Sequence, residues 1–149
     1  MRKFKDTTGR EWEIVLTIGS AKRVKDHVGV DLLQPEEGDP PLLTRLGTEE
    51  RLLAEVICCL MSNQFEKHNV GEEEVLDAFD GATILAAQKA FYGELVDFFR
   101  SRGRKDRATA VEKQETVIAQ AIDLMDARIK EYKVDLTALG DPSGRSQEF

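Results

Sequence analysis

The stretch from Thr48 to Phe65, TEERLLAEVICCLMSNQF, constrains the fold more than any other part of the chain. Placed at helical period, Leu52, Leu53, Val56, Ile57, Leu60, Met61 and Phe65 form one broad apolar stripe with Cys58 and Cys59 beside it. A helix that is apolar over so much of its circumference has to be covered by other elements, so it is expected at the centre of the core. Thr48 is placed to cap its start, because the hydroxyl can accept from an orphan amide of the first turn. Glu49 and Glu50 follow, where the helix dipole favours negative charge. The chain around this helix has 149 residues, a length that suits one domain able to close a core without disulfides or metal.

The elements that must cover it can be placed from pattern. Phe4, and then Trp12, Ile14 and Leu16, alternate with polar neighbours on either side of Asp6-Thr7-Thr8-Gly9-Arg10, which predicts a β-hairpin over residues 2–17 with Gly9 supplying the turn. Such a hairpin is marginal alone, so its apolar face, headed by Trp12, should rest on helices. A helical body over residues 20–102 follows. It opens with a short helix from Ser20 to Val28 ended by Gly29, then a loop from Gln34 to Pro41, and Leu42, Leu43 and Leu46 re-enter the core before the central helix. After that helix comes a short one with Val75, Leu76 and Phe79 inward. The second major helix, from Ala82 to Arg102, repeats Ile84, Leu85, Phe91, Tyr92, Leu95, Phe98 and Phe99 three and four apart. Gly93 within it costs about 1 kcal/mol of helix propensity unless something passes close by. A basic hinge around Gly103 leads to a long amphipathic helix over 107–133, whose narrow stripe is Val111, Ile118, Ile122, Met125, Ile129 and Tyr132. Residues 135–149 are polar and rich in Gly, Pro and Ser, a flexible tail. The expectation is a single α+β domain over residues 1–134.

Composition and motif searches exclude more functions than they suggest. Lys and Arg number 21 against 28 Asp and Glu, a formal charge of -7, and such a domain repels the phosphates that dominate nucleic-acid affinity. No apolar run approaches the roughly 18 residues needed to span a bilayer, and the N-terminus lacks an apolar signal region, so a cytoplasmic protein with no membrane partner is expected. Cys58 and Cys59 are adjacent, unlike the spaced pairs of zinc and redox sites, and read as buried free thiols. His27 and His68 share no metal-ligand spacing, and no metal or other cofactor is expected. Ser20 and Thr48 have helix-cap context without nucleophile-elbow glycines, while Gly9, Gly19 and Gly29 form no phosphate-binding motif. The carboxylate pairs Glu73 with Asp77 and Glu94 with Asp97 read as solvated faces. No catalytic residue emerges, and the expectation is a non-enzymatic protein.

Two surfaces remain. Arg100, Arg102, Arg104, Lys105 and Arg107, beside Phe98 and Phe99, read either as a solvated hinge or as a contact for nucleic acid or an acidic partner. The stripe Ile118, Ile122, Met125 and Ile129 is either intramolecular core or a surface for another helix. If the long helix lifts about Gly103, that stripe and Phe91, Phe98 and Phe99 would line a groove for an apolar client helix.

Several short segments together resemble the tail assembly chaperones of tailed phages. They are Arg2-Lys3-Phe4-Lys5-Asp6 with Gly9-Arg10-Glu11-Trp12, Lys22-Arg23-Val24-Lys25, and Gly29-Val30-Asp31-Leu32-Leu33. The similarity continues through Leu52–Leu60, Val70-Gly71-Glu72-Glu73-Glu74, Asp80-Gly81-Ala82 and Glu94-Leu95-Val96-Asp97-Phe98-Phe99, so it covers roughly the first two thirds of the chain. The resemblance implies a protein that keeps the tape-measure protein, or another tail protein, soluble in the host cytoplasm until the tail tube assembles. It carries over no catalytic residue. It leaves open a homo-oligomer, and a small structural component of the tail or virion, or an interaction module of a prophage region, as the alternative role.

Overall fold

The computed structural model describes residues 2–138, with side chains as far as Glu131. The fold is α+β: an N-terminal antiparallel hairpin followed by helices. The chain divides into two units, Met1–Glu115 and Thr116–Phe149.

Strands β1 (Arg2–Lys5) and β2 (Glu11–Ile14) pair with Phe4 opposite Trp12 and Arg2 opposite Ile14. Period two puts Phe4, Trp12 and Ile14 on the buried face, while Lys3 on the other face lies 3.5 Å from Glu11 and 3.7 Å from Glu13. Gly9 turns the chain with φ 87°. What holds the turn is Asp6, which the sequence pattern did not single out. Its carboxylate accepts the Thr8 N–H at 2.9 Å, the Thr8 hydroxyl at 2.7 Å, the Arg10 N–H at 3.0 Å, the Arg10 guanidinium at 3.2 Å and the Trp12 indole N–H at 3.0 Å. Burial alone would raise the Asp6 carboxyl, but these donors outweigh it and draw the pKa down to about 2.

Helix α1 (Ile18–Val28) begins earlier than its apolar pattern suggests, because Thr17 and Ser20 form a reciprocal capping box. The Ser20 N–H donates to the Thr17 hydroxyl at 3.0 Å and the Thr17 N–H to the Ser20 hydroxyl at 2.9 Å. Gly29 closes the helix in the left-handed region, as its position predicts. Helices α2 (Leu42–Thr48) and α3 (Glu50–Met61) abut at Glu49. Thr48 therefore ends α2 and does not cap α3: its hydroxyl donates to the Thr44 carbonyl at 2.9 Å. The backbone of Glu49 serves both helices, its N–H bonding Arg45 O and its carbonyl accepting from Leu53.

Leu53, Val56, Ile57, Leu60 and Met61 of α3 are buried, so the central helix is where its stripe places it. It stops short of Phe65. A 3-10 turn, Ser62–Gln64, leads into the short α4 (Phe65–His68) and turns Gln64 toward the hairpin. There the Gln64 side-chain amide pairs with both backbone groups of Glu13, at 2.9 and 2.7 Å, and so satisfies part of the open edge of β2. Helix α5 (Glu72–Asp77) buries Val75.

Helix α6 (Gly81–Ser101), capped by the Asp80 side chain on the Thr83 N–H at 2.8 Å, carries the aromatic core. Phe91, Tyr92, Leu95 and Phe99 are fully buried. In its first turns the small residues Thr83, Ala87 and Ala90 face inward, which leaves Leu85 half exposed although it lies on the expected stripe. Gly93 is the close approach its cost implies. A Cβ there would come within 2.9 Å of the Arg2 guanidinium carbon, and Arg2 uses that space to reach Asp97 at 3.0 Å. Next to Gly93 in the chain, the buried Glu94 accepts the Leu16 N–H at 2.9 Å, tying the end of the hairpin to the helix.

Helix α7 runs from Lys105 to Ala138. Residues 135–138, expected in the tail, are helical because no Gly or Pro interrupts the sequence before Gly140; residues 139–149 lie outside the described residues.

Candidate functional site

The junction between α6 and α7 is more tightly held than a solvated hinge. Gly103 adopts φ 83°, and the Arg104 N–H returns to the Phe99 carbonyl at 2.8 Å. Ala108 and Val111 in the first turns of α7 are buried within the first unit. Arg100 donates to both carboxylate oxygens of Glu112 at 3.0 Å, and Arg104 grips Asp106 at 2.9 and 2.7 Å. Arg107 donates to Glu36 at 3.0 and 2.6 Å, with its guanidinium carbon 6.0 Å from the Phe99 ring centroid. The boundary between the units accordingly falls after Glu115, inside α7, and not at Gly103.

The residues expected to line a client groove belong to different units. Phe91 and Phe99 are core side chains of the first unit, each 1% exposed, and Phe98 beside them is half-buried, its ring centroid 5.6 Å from that of Phe99. Ile118, Ile122, Met125 and Ile129 share one face of α7 in the second unit. Ile118 is half-buried, while Ile122, Met125 and Ile129 are between 53% and 61% exposed. Tyr132, on the same stripe, lies beyond the described side chains. Val117 and Leu124 are exposed to a similar degree and sit about 100° around the helix from the stripe at 3.6 residues per turn. The apolar surface is therefore an arc, wider than the stripe read from the sequence, which did not include Val117 and Leu124. Lys130 and Asp126, 3.0 Å apart, pair on the polar side of the same segment.

The remaining candidates have local structural partners. Arg23 donates to the Cys59 and Leu60 carbonyls at 3.2 and 3.3 Å, satisfying the end of α3. It lines a cavity of 380 Å3 with His27, Glu55, Cys58, Cys59 and Glu72 among others. Burial pushes the Cys58 thiol up to about 12 and raises that of Cys59, so neither offers a thiolate. His27 Nδ1 lies 2.9 Å from the Arg23 carbonyl; His68 Nε2 lies 3.2 Å from the Glu11 carbonyl, with its ring 4.5 Å from that of Trp12. Glu73 and Asp77 are exposed, whereas Glu94 and Asp97 are engaged with Leu16 and Arg2. Among the described residues, no group of three or more His, Cys, Asp or Glu side chains is placed to hold a metal ion, and no helix is long and apolar enough to cross a membrane. No protein-family model, curated protein or solved structure matches the chain.

Proposed function

We propose that this is a non-enzymatic holding protein, which binds an apolar helical client along the α7 arc. The observation that carries the reading is that Val117, Ile122, Leu124, Met125 and Ile129, all large and apolar, are more than half exposed on one helical segment. In the first unit Phe4, Trp12, Phe91, Tyr92 and Phe99 are buried. Exposed apolar surface of this extent on an otherwise highly charged chain marks an interaction site, and an amphipathic helix face recognises another helix by interdigitating side chains. Met125 suits a variable partner because its unbranched side chain adapts. On the resemblance of its first two thirds to tail assembly chaperones, the client is the tape-measure protein of a tailed phage, held in the host cytoplasm.

Co-expression with a helical fragment of a tailed-phage tape-measure protein tests this. The wild-type chain keeps the fragment soluble and co-purifies with it at both low and high salt. Ile122→Asp combined with Met125→Asp abolishes co-purification and leaves the Trp12 fluorescence melt unchanged. Retention of the client by that variant would place the surface elsewhere, and loss of the melt would assign the arc to the core.

A further inference from the structure

Ile18 opens α1 with 66% of its surface exposed, although it is large and apolar. It lines a cavity of 290 Å3 together with Leu33, Phe98 and Phe99 on the apolar side and Arg102, Arg104 and Arg107 on the basic side. All of these residues belong to the first unit, so the cavity is independent of the α7 arc. Its two faces ask for different chemistry from a ligand. The half-buried Phe98 and Leu33 with Ile18 offer an apolar contact. Of the arginines, Arg104 and Arg107 are held in place by Asp106 and Glu36, while Arg102 makes no ion pair among the described residues. A guanidinium has five donors, and Arg107 spends only its Nε and one terminal nitrogen on Glu36, so N–H groups able to donate to a carboxylate remain at both Arg102 and Arg107.

We infer that this cavity docks an acidic peptide segment of a partner, seating one large apolar side chain against Ile18, Leu33 and Phe98 with a neighbouring carboxylate on Arg102. At 290 Å3 the cavity lies at the small end of ligand pockets and has room for one large side chain. Charge favours a short acidic segment over a nucleic acid. The surrounding chain carries -7, and Arg100, Arg104 and Arg107 are already paired with carboxylates, so a long polyanion running on beyond the cavity would meet repulsion that a short segment with a few carboxylates largely avoids. The arrangement joins a central apolar anchor to charged groups at its edge, the division of labour expected of a peptide-docking pocket.

Fluorescence anisotropy on the full chain tests the assignment, with a fluorescein-labelled peptide GDEFDEG as probe. Saturable binding is expected, weakening as salt rises because the carboxylate contacts are partly exposed. The peptides GNQFNQG and GDEADEG should each bind at least about tenfold more weakly, since one lacks the charges and the other the apolar anchor. Ile18→Glu and Arg102→Glu should each weaken GDEFDEG binding by about tenfold or more. Both positions are exposed, and Ile18 stands in the first turn of α1 where a carboxylate is tolerated, so the Trp12 fluorescence melt should be unchanged. Absence of saturable binding, equal binding of the uncharged peptide, or wild-type affinity in Ile18→Glu would overturn the inference. So would stronger competition by a single-stranded oligonucleotide than by unlabelled peptide.

Discussion

Replacing Asp6 by Asn probes the one buried charge on which the hairpin turn depends. The Asp6 side chain is 0% exposed, and its pKa falls from an ordinary 3.8 to about 2. At 1.36 kcal/mol per pKa unit, the preference of the fold for the carboxylate is about 2 kcal/mol, with no discount for solvent screening. Asn keeps one acceptor for the Thr8 and Arg10 amides, but its NH2 group would then face the Trp12 indole N–H, donor against donor. A buried unsatisfied donor costs a further 1–3 kcal/mol or so, and the variant should be about 3–5 kcal/mol less stable at pH 7. The pH dependence has a definite sign. A carboxyl whose folded pKa is depressed contributes stability above its unfolded pKa and loses it as pH falls toward the folded value. The wild-type advantage should be complete at pH 5 and smaller by about 1 kcal/mol at pH 3. Urea unfolding followed by the fluorescence of Trp12, the single tryptophan in the chain and itself a partner of Asp6, measures the difference at each pH. A variant within about 0.5 kcal/mol of wild type at pH 7, or a gap that is the same at pH 5 and pH 3, would refute the reasoning.

Trp12→Ala should cost about 3–5 kcal/mol, since the indole is fully buried and packs edge-on to Phe65, and an unchanged melting temperature would remove the hairpin from the core. Gly93→Ala should be close to neutral in the wild type, because helix propensity gained is offset by displacing Arg2 from its half-exposed pair with Asp97. In an Arg2→Ala background the same change should stabilise by about 1 kcal/mol, and thermal melts of the four proteins would show whether Arg2 is what the glycine accommodates. Cys58, with its thiol pushed up to about 12, and Cys59, raised by burial, should both resist iodoacetamide at pH 8 in the native protein and react in urea; mass spectrometry after a timed pulse would detect native-state modification at either position.

Periodicity and turn chemistry were enough to place the hairpin, the buried Trp12, the central α3 stripe, the Gly29 cap and the aromatic α6, because each is a local pattern whose apolar face has only one direction to point. Local signals failed where two elements compete for the same residues. Thr48 has the composition of an N-cap, but α2 and α3 abut at Glu49 and leave its hydroxyl to the preceding turn. Leu85 lies on the helical stripe, yet α6 packs through its alanines there. Other features needed partners brought together from distant parts of the chain. Gln64 completing the edge of β2, Glu94 anchoring Leu16, and Arg2 reaching Asp97 across Gly93 join residues 51, 78 and 95 positions apart. For the candidate surfaces, the sequence determined which side chains are available, the aromatics of α6, the basic run and the α7 stripe. Tertiary packing decided which of them stay open. The core of the first unit takes Phe91 and Phe99, Glu36 and Glu112 neutralise much of the basic run, and Ile122, Met125 and Ile129 remain exposed with Val117 and Leu124. Whether an apolar residue is core or surface depends on what folds over it, and that is a property of the packed chain and not of the helix that carries it.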